Sequence, residues 1–150
     1  MDNYGKIVKY IDTNPIGTLG TINPDGSPHG AVVYFCADDS RHFVYFLTKT
    51  GTQKYKNIST NDKVSLTIAN SSESSTLQAA GRAMAIRDSQ AIDMVFEKLN
   101  RAHSLGTEWL PPISKLRAGA YVIVGIEILH ARLAQFKDMS IGDEHIFTQI

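Results

Sequence analysis

Residues 46–58, FLTKTGTQKYKNI, bring together groups able to hold an anion. Thr48 ends an apolar run, and Thr50, Gly51 and Thr52 form a small polar turn before Gln53 and Lys54. Thr50 and Thr52 offer hydroxyls, and Gly51 lets backbone come close. If a helix begins here, its first amides point outward at a site that favours negative charge, and Lys54 adds a cation. A phosphate monoester suits that set. The same residues also describe a helix that simply starts after a strand, with its lysine in water.

The neighbouring elements must place this turn. Residues 4–14 put Ile7, Val8 and Ile11 on one helical face, with Tyr4 within reach, and the helix ends before Pro15. Ile16 to Ile22 alternates apolar and small polar residues, Asn23-Pro24-Asp25-Gly26 is turn chemistry, and Ala31 to Ala37 is apolar. Together they predict a β-hairpin. His42 to Thr48 reads as a strand, Gly51 to Thr60 as a short helix with Tyr55 and Ile58 inward, and Val64 to Ala69 as a strand. Residues 70–76 form a loop, and Leu77 to Ile86 is a strand interrupted by Gly81, a bulge or a point of close approach.

Asp88 or Ser89 can cap a helix over Gln90 to Arg101, whose Ile92, Val95, Phe96 and Leu99 make an apolar stripe. An irregular segment with Trp109, Pro111 and Pro112 follows, then a strand from Ala120 to Leu133 and a tail over 134–150. Connections this short favour a closed antiparallel barrel over a parallel sheet, which needs crossovers.

Composition narrows the function. The 150 residues suit one domain, with 43% apolar and 20% charged residues. Fifteen basic residues balance fifteen acidic ones, which argues against nucleic acid as a partner. Cys36 is the single cysteine, so no intrachain disulfide forms, and its apolar surroundings predict a buried, inert thiol. Neither a signal peptide nor a membrane-length apolar run is legible, so no membrane partner and a cytoplasmic location are expected.

Three stretches, TLGTINPDGSPHGAVVYF, FLTKTGTQKYKNISTNDKVSLTI and LQAAGRAMAI, follow one another in a telling order. In that order the chain resembles the pyridoxamine 5′-phosphate oxidase-like family of flavin-binding split barrels, from residue 4 to residue 133. The resemblance implies a mainly β (α+β) fold, a six-stranded antiparallel split β-barrel with short flanking helices. It also implies a homodimer holding flavin mononucleotide (FMN) at its interface and acting on a small-molecule substrate. Carried over by position, Thr48, Lys49, Thr52, Gln53 and Lys54 would contact the phosphate and ribityl chain. His29, Ala31, Val32, Val33 and Tyr34 would lie along the ring system, and Thr76 or Gln78 would reach it from the other subunit.

The chain departs from the family at several points. His29 and Tyr34 stand where vitamin-B6 oxidases carry a basic pair, and Gln53 stands where arginine is frequent. The arginine and histidine signature near the C-terminus is missing, with His130 and Arg132 in a loosely similar place, so vitamin-B6 oxidation is not the expected activity. The expected function is that of an FMN-dependent oxidoreductase. The alternatives are a stress or sensor flavoprotein without dedicated catalysis, and a split barrel holding deazaflavin F420 or haem.

Other residues admit two readings each. His29 is either a surface histidine or a ligand-facing donor. Trp109 either covers the flavin's open face or fills the dimer interface. Arg82 and Arg87 either face water or meet an anionic substrate. His42 reads as solvated, His103, His130 and His145 as structural, and no metal site is expected.

Overall fold

Alternation along the strands decides which side chains share an interior. In β1 (Ile16–Ile22), Gly17, Leu19 and Thr21 are buried between more exposed neighbours. Their register partners on β2 (Pro28–Asp38) are Val33, Ala31 and His29, so those three share the inward face. The turn between the strands follows its sequence chemistry. The Asn23 N–H donates to the Ser27 carbonyl and the Gly26 N–H to the Asn23 carbonyl, both at 2.9 Å. Gly26 has φ +86°, a left-handed conformation that glycine adopts without a Cβ clash.

The structure is a computed structural model that describes residues 3–38, 42–104, 121–136 and 147–149. Before the hairpin lies α1 (Asn3–Thr13), and after it come β3 (Phe43–Lys49), α2 (Gln53–Thr60), β4 (Lys63–Asn70) and β5 (Ser75–Ala85). Then follow α3 (Ser89–Ser104), β6 (Tyr121–Gln135) and β7 (Phe147–Gln149). The strand order is β3-β2-β1-β4-β5-β6-β7, every pair antiparallel, and β3 also pairs with β6. That pairing closes β1 to β6 into a six-stranded barrel. Two elements differ from the sequence expectation of a tail over 134–150. β6 continues through Ala134 and Gln135, and β7 adds a seventh strand beside it.

The barrel is split. β2 pairs with β3 from Phe35 to Asp38, whereas residues 28–34 pair with β1 alone among the described strands. Phe35, Val44, Phe46, Leu19, Leu66, Ile68, Leu77 and Ile126 fill the interior. One end is closed by α1, whose Ile7 and Ile11 are buried in the same core. There the Tyr4 hydroxyl donates to the Phe43 carbonyl at 2.9 Å, and the Asn70 side-chain amide donates to Asn14 Oδ1 at 2.7 Å. The short helix α2 sits at the opposite end, beside the hairpin turn, with Ile58 buried and Tyr55 packed on the core.

α3 lies on the outside, where Ala91, Val95 and Leu99 cover Cys36, Tyr45 and Ile123. Asp88 precedes this helix, and its carboxylate accepts from the Gln90 N–H at 3.4 Å. Gly81 marks both features read from its type. The β5–β6 register shifts between Ala80 and Gly81, and a Cβ at Gly81 would fall 2.0 Å from the Glu127 carbonyl oxygen. Among the described residues no helix is long and apolar enough to cross a membrane.

Candidate functional site: an anion-ready turn where two strands part

The turn from Thr48 to Lys54 lies just past the last β2–β3 pair. Thr48 is 3% exposed, and its Oγ1 lies 3.1 Å from Thr52 Oγ1. Thr52 has the extended backbone of a helix cap, φ −78° and ψ 153°, yet makes no side-chain cap hydrogen bond. Its hydroxyl donates instead to the Lys49 carbonyl at 2.9 Å, and its N–H donates to the same oxygen at 3.2 Å. A threonine at this position ordinarily satisfies an amide of the first turn. Here it does not, so the first-turn amides of α2 are left for another acceptor.

Lys54 is half-buried beside these amides. Burial holds its ammonium below the ordinary lysine value of 10.5, and among the described residues it forms no ion pair. A cation partly stripped of water and lacking a carboxylate gains more from an incoming anion than a solvated one does. Lys49 points to the other face, its Nζ 5.7 Å from the centre of the Tyr121 ring. Gly51 adds no special conformation, because its φ is not positive and a Cβ there would meet nothing within 4 Å. Its small size matters for approach alone.

Gln53 is used differently from the sequence expectation. Its side-chain amide turns back along α2 and donates to Asn57 Oδ1 at 2.8 Å, so the side chain is already engaged within the helix. Asn57 in turn donates to Thr21 Oγ1 at 3.0 Å and to Asn23 Oδ1 at 2.9 Å. Thr21 stands opposite His29 in the β1–β2 register. His29 is half-buried, between the two readings its sequence position allows. Its ring turns inward, and its Nδ1 is buried with no hydrogen-bond partner among the described residues. An unpaired buried nitrogen is costly in isolation and points to a missing partner.

β2 leads away from this cluster. Ala31 and Val33 share the inward face with His29, while Val32 is 52% exposed and Tyr34 is half-buried. Burial pushes the Tyr34 phenol above its ordinary value. The backbone edge of residues 28–34 that faces away from β1 pairs with no strand among the described residues.

Thr76 and Gln78 are not brought to this cluster within one chain. In register, Val32 pairs with Thr18, Thr18 with Thr67, and Thr67 with Gln78. Three strand spacings put Gln78 about 14 Å from Val32. Thr76 is half-buried, and its hydroxyl donates to the Ile68 carbonyl at 3.0 Å. Trp109, His145 and the two prolines lie outside the described residues. His42 is exposed and stacks on Tyr4, with ring centres 4.5 Å apart, while Arg82, Arg87 and His130 are exposed. Cys36 is buried, and burial pushes its thiol up to about 12. Among the described residues no cluster of three His, Cys, Asp or Glu side chains offers a metal site.

A family model described as pyridoxamine 5′-phosphate oxidase matches residues 5–132. The chain belongs to the pyridoxamine 5′-phosphate oxidase family. No curated protein matches it. Solved structures share the family's fold. A pyridoxamine 5′-phosphate oxidase-related, FMN-binding protein from Nostoc punctiforme is 13% identical with TM-score 0.69, over 99% of this chain and 90% of that one. General stress protein 26 from Bacillus anthracis is 22% identical with TM-score 0.68, over 89% and 94%. An F420 reductase is 22% identical with TM-score 0.63, over 87% and 97%. Within the family's barrel, the anion-ready turn and the open β2 edge meet at one fork.

The sequence points to Gln53 but not to its partner Asn57, nor to Thr21 and Asn23, to which Asn57 donates. The four-residue spacing of Gln53 and Asn57 on a helix is a legible signal. Nothing in the sequence reveals the link from Asn57 to a strand 36 residues earlier.

Proposed function

We propose that the chain is an FMN-binding oxidoreductase acting on a small planar or anionic substrate, with two copies completing each site. One observation carries the reading: an uncapped helix start, two hydroxyls 3.1 Å apart and a lysine with no ion pair among the described residues lie at the fork where β2 leaves β3. The phosphate is held by the first amides of α2, by Lys54, and by the Thr48 and Thr52 hydroxyls once Thr52 turns its proton from the Lys49 carbonyl to the ligand. The ring system lies along the open edge of residues 31–34, and His29 Nδ1 gains a partner at the inner side. Electron or hydride transfer is the chemistry that flavin supplies when bound, and the chain's residues bind, orient and shape the pocket.

A second copy is part of the proposal because Gln78 is three strands from β2 and can meet the ring only from another chain. Light scattering should then give twice the chain mass, and a monomer would remove Thr76 and Gln78 from the site. The absorbance of the purified protein, before and after adding FMN, tests the cofactor. A bound-flavin spectrum supports the reading. A deazaflavin band would assign the fork to F420, a Soret band would assign it to haem, and a protein that ignores FMN would refute it.

A further inference from the structure

Within α2, Asn57 and Ile58 are the buried residues, and Asn57 is 1% exposed. Both hydrogens of the Asn57 amide nitrogen are used, one on Thr21 Oγ1 and one on Asn23 Oδ1, and its oxygen takes the Gln53 amide. One side chain thus joins the helix start, the inward face of β1 and the hairpin turn. A helix of eight residues is marginal on its own, so its position depends on such ties.

We infer that Asn57 is the positioning residue of the phosphate-binding turn. It acts in two ways. Its bonds to Thr21 and Asn23 fix where the first turn of α2 stands relative to β1 and β2. Its oxygen draws the Gln53 side chain back along the helix, away from the space in front of the first-turn amides. The link ends at Thr21, across from His29, so it also sets the distance between the phosphate turn and the strand along which the ring lies. Hydroxyl and amide donors act on an anion within a few tenths of an ångström, so a displaced helix start weakens phosphate binding although no phosphate-contacting group is removed.

This inference rests on the phosphate reading of the fork, and its test keeps the two apart. FMN and riboflavin, which lacks the phosphate, are titrated against the full chain by quenching of flavin fluorescence. Wild type should prefer FMN, and Lys54→Ala should reduce that preference. Asn57→Ala should cut FMN affinity by roughly tenfold to a hundredfold, the scale of losing a supporting residue, with riboflavin nearly unchanged. Thr21→Val keeps the shape but removes the acceptor and should lose part of the preference. Thr21→Ser restores the hydroxyl and should restore the preference, and the Thr21 pair decides the matter if Asn57→Ala does not fold.

Equal losses for FMN and riboflavin in Asn57→Ala and Thr21→Val would make the network merely structural and overturn the inference. An intact preference in both variants, with Lys54→Ala still reducing it, would overturn the inference and leave the phosphate site standing. Wild type without any preference would overturn the phosphate reading and this inference with it.

Discussion

Replacing Lys54 with Ala removes a half-buried ammonium that no described carboxylate neutralises. A charge-assisted hydrogen bond to a phosphate oxygen is worth about 1.5–3 kcal/mol net. Lys54 keeps part of its exposure, so water screens it and the lower end widens to about 1 kcal/mol. The range of about 1–3 kcal/mol corresponds to a loss of about 5- to 150-fold in FMN affinity. Riboflavin affinity should change little. Fluorescence titration of both ligands measures the difference. Equal losses, or none, would place Lys54 away from the phosphate and refute the reasoning.

The pH dependence sharpens this test. Burial lowers the Lys54 value in the ligand-free protein, so it gives up its proton below the ordinary 10.5. The FMN-over-riboflavin preference should therefore begin to fall on the alkaline side at a lower pH than a solvated lysine would give. It should also weaken below about pH 6, where the phosphate dianion takes up a proton and becomes a monoanion. Lys54→Ala should lose the alkaline limb and keep the acidic one.

Gly81→Ala should destabilise the barrel by about 3 kcal/mol, because a backbone oxygen 2.0 Å from the new Cβ cannot rotate away, and denaturant unfolding measures the loss. A change below about 0.5 kcal/mol, the size of an ordinary surface substitution, would mean that the strand crossing is looser than the geometry requires. Cys36 should resist thiol reagents at pH 8 in the folded protein and react once denatured, since burial pushes its thiol up to about 12. A raised value is stabilising below the unfolded thiol's 9.0 and is lost as pH climbs from there toward about 12. Cys36→Ala should remove that part of the alkaline decline in stability.

Much of the fold is legible in local patterns. The alternation of Ile16–Ile22, the Asn23–Gly26 turn and the apolar stripe of Ile92, Val95, Phe96 and Leu99 each reflect short-range geometry, and each appears where the sequence places it. Gly81 is similar, because a glycine inside a strand has few uses other than a bulge or a close approach. β7 was not legible, since three residues carry no period and the strand exists by pairing with Arg132 to Ala134.

The chemical types at the site follow from the chain's local order: two threonine hydroxyls, a glycine turn and a lysine at a helix start. These are properties of neighbouring residues. Tertiary structure decided how they are used. It spent the Thr52 hydroxyl on Lys49 and thereby left the helix start uncapped, and it turned Gln53 back toward Asn57. It buried His29 Nδ1 with no partner among the described residues and parted β2 from β3 beside the turn. Those outcomes depend on contacts between residues far apart in the chain, and closing the barrel is what brings such residues within hydrogen-bond distance.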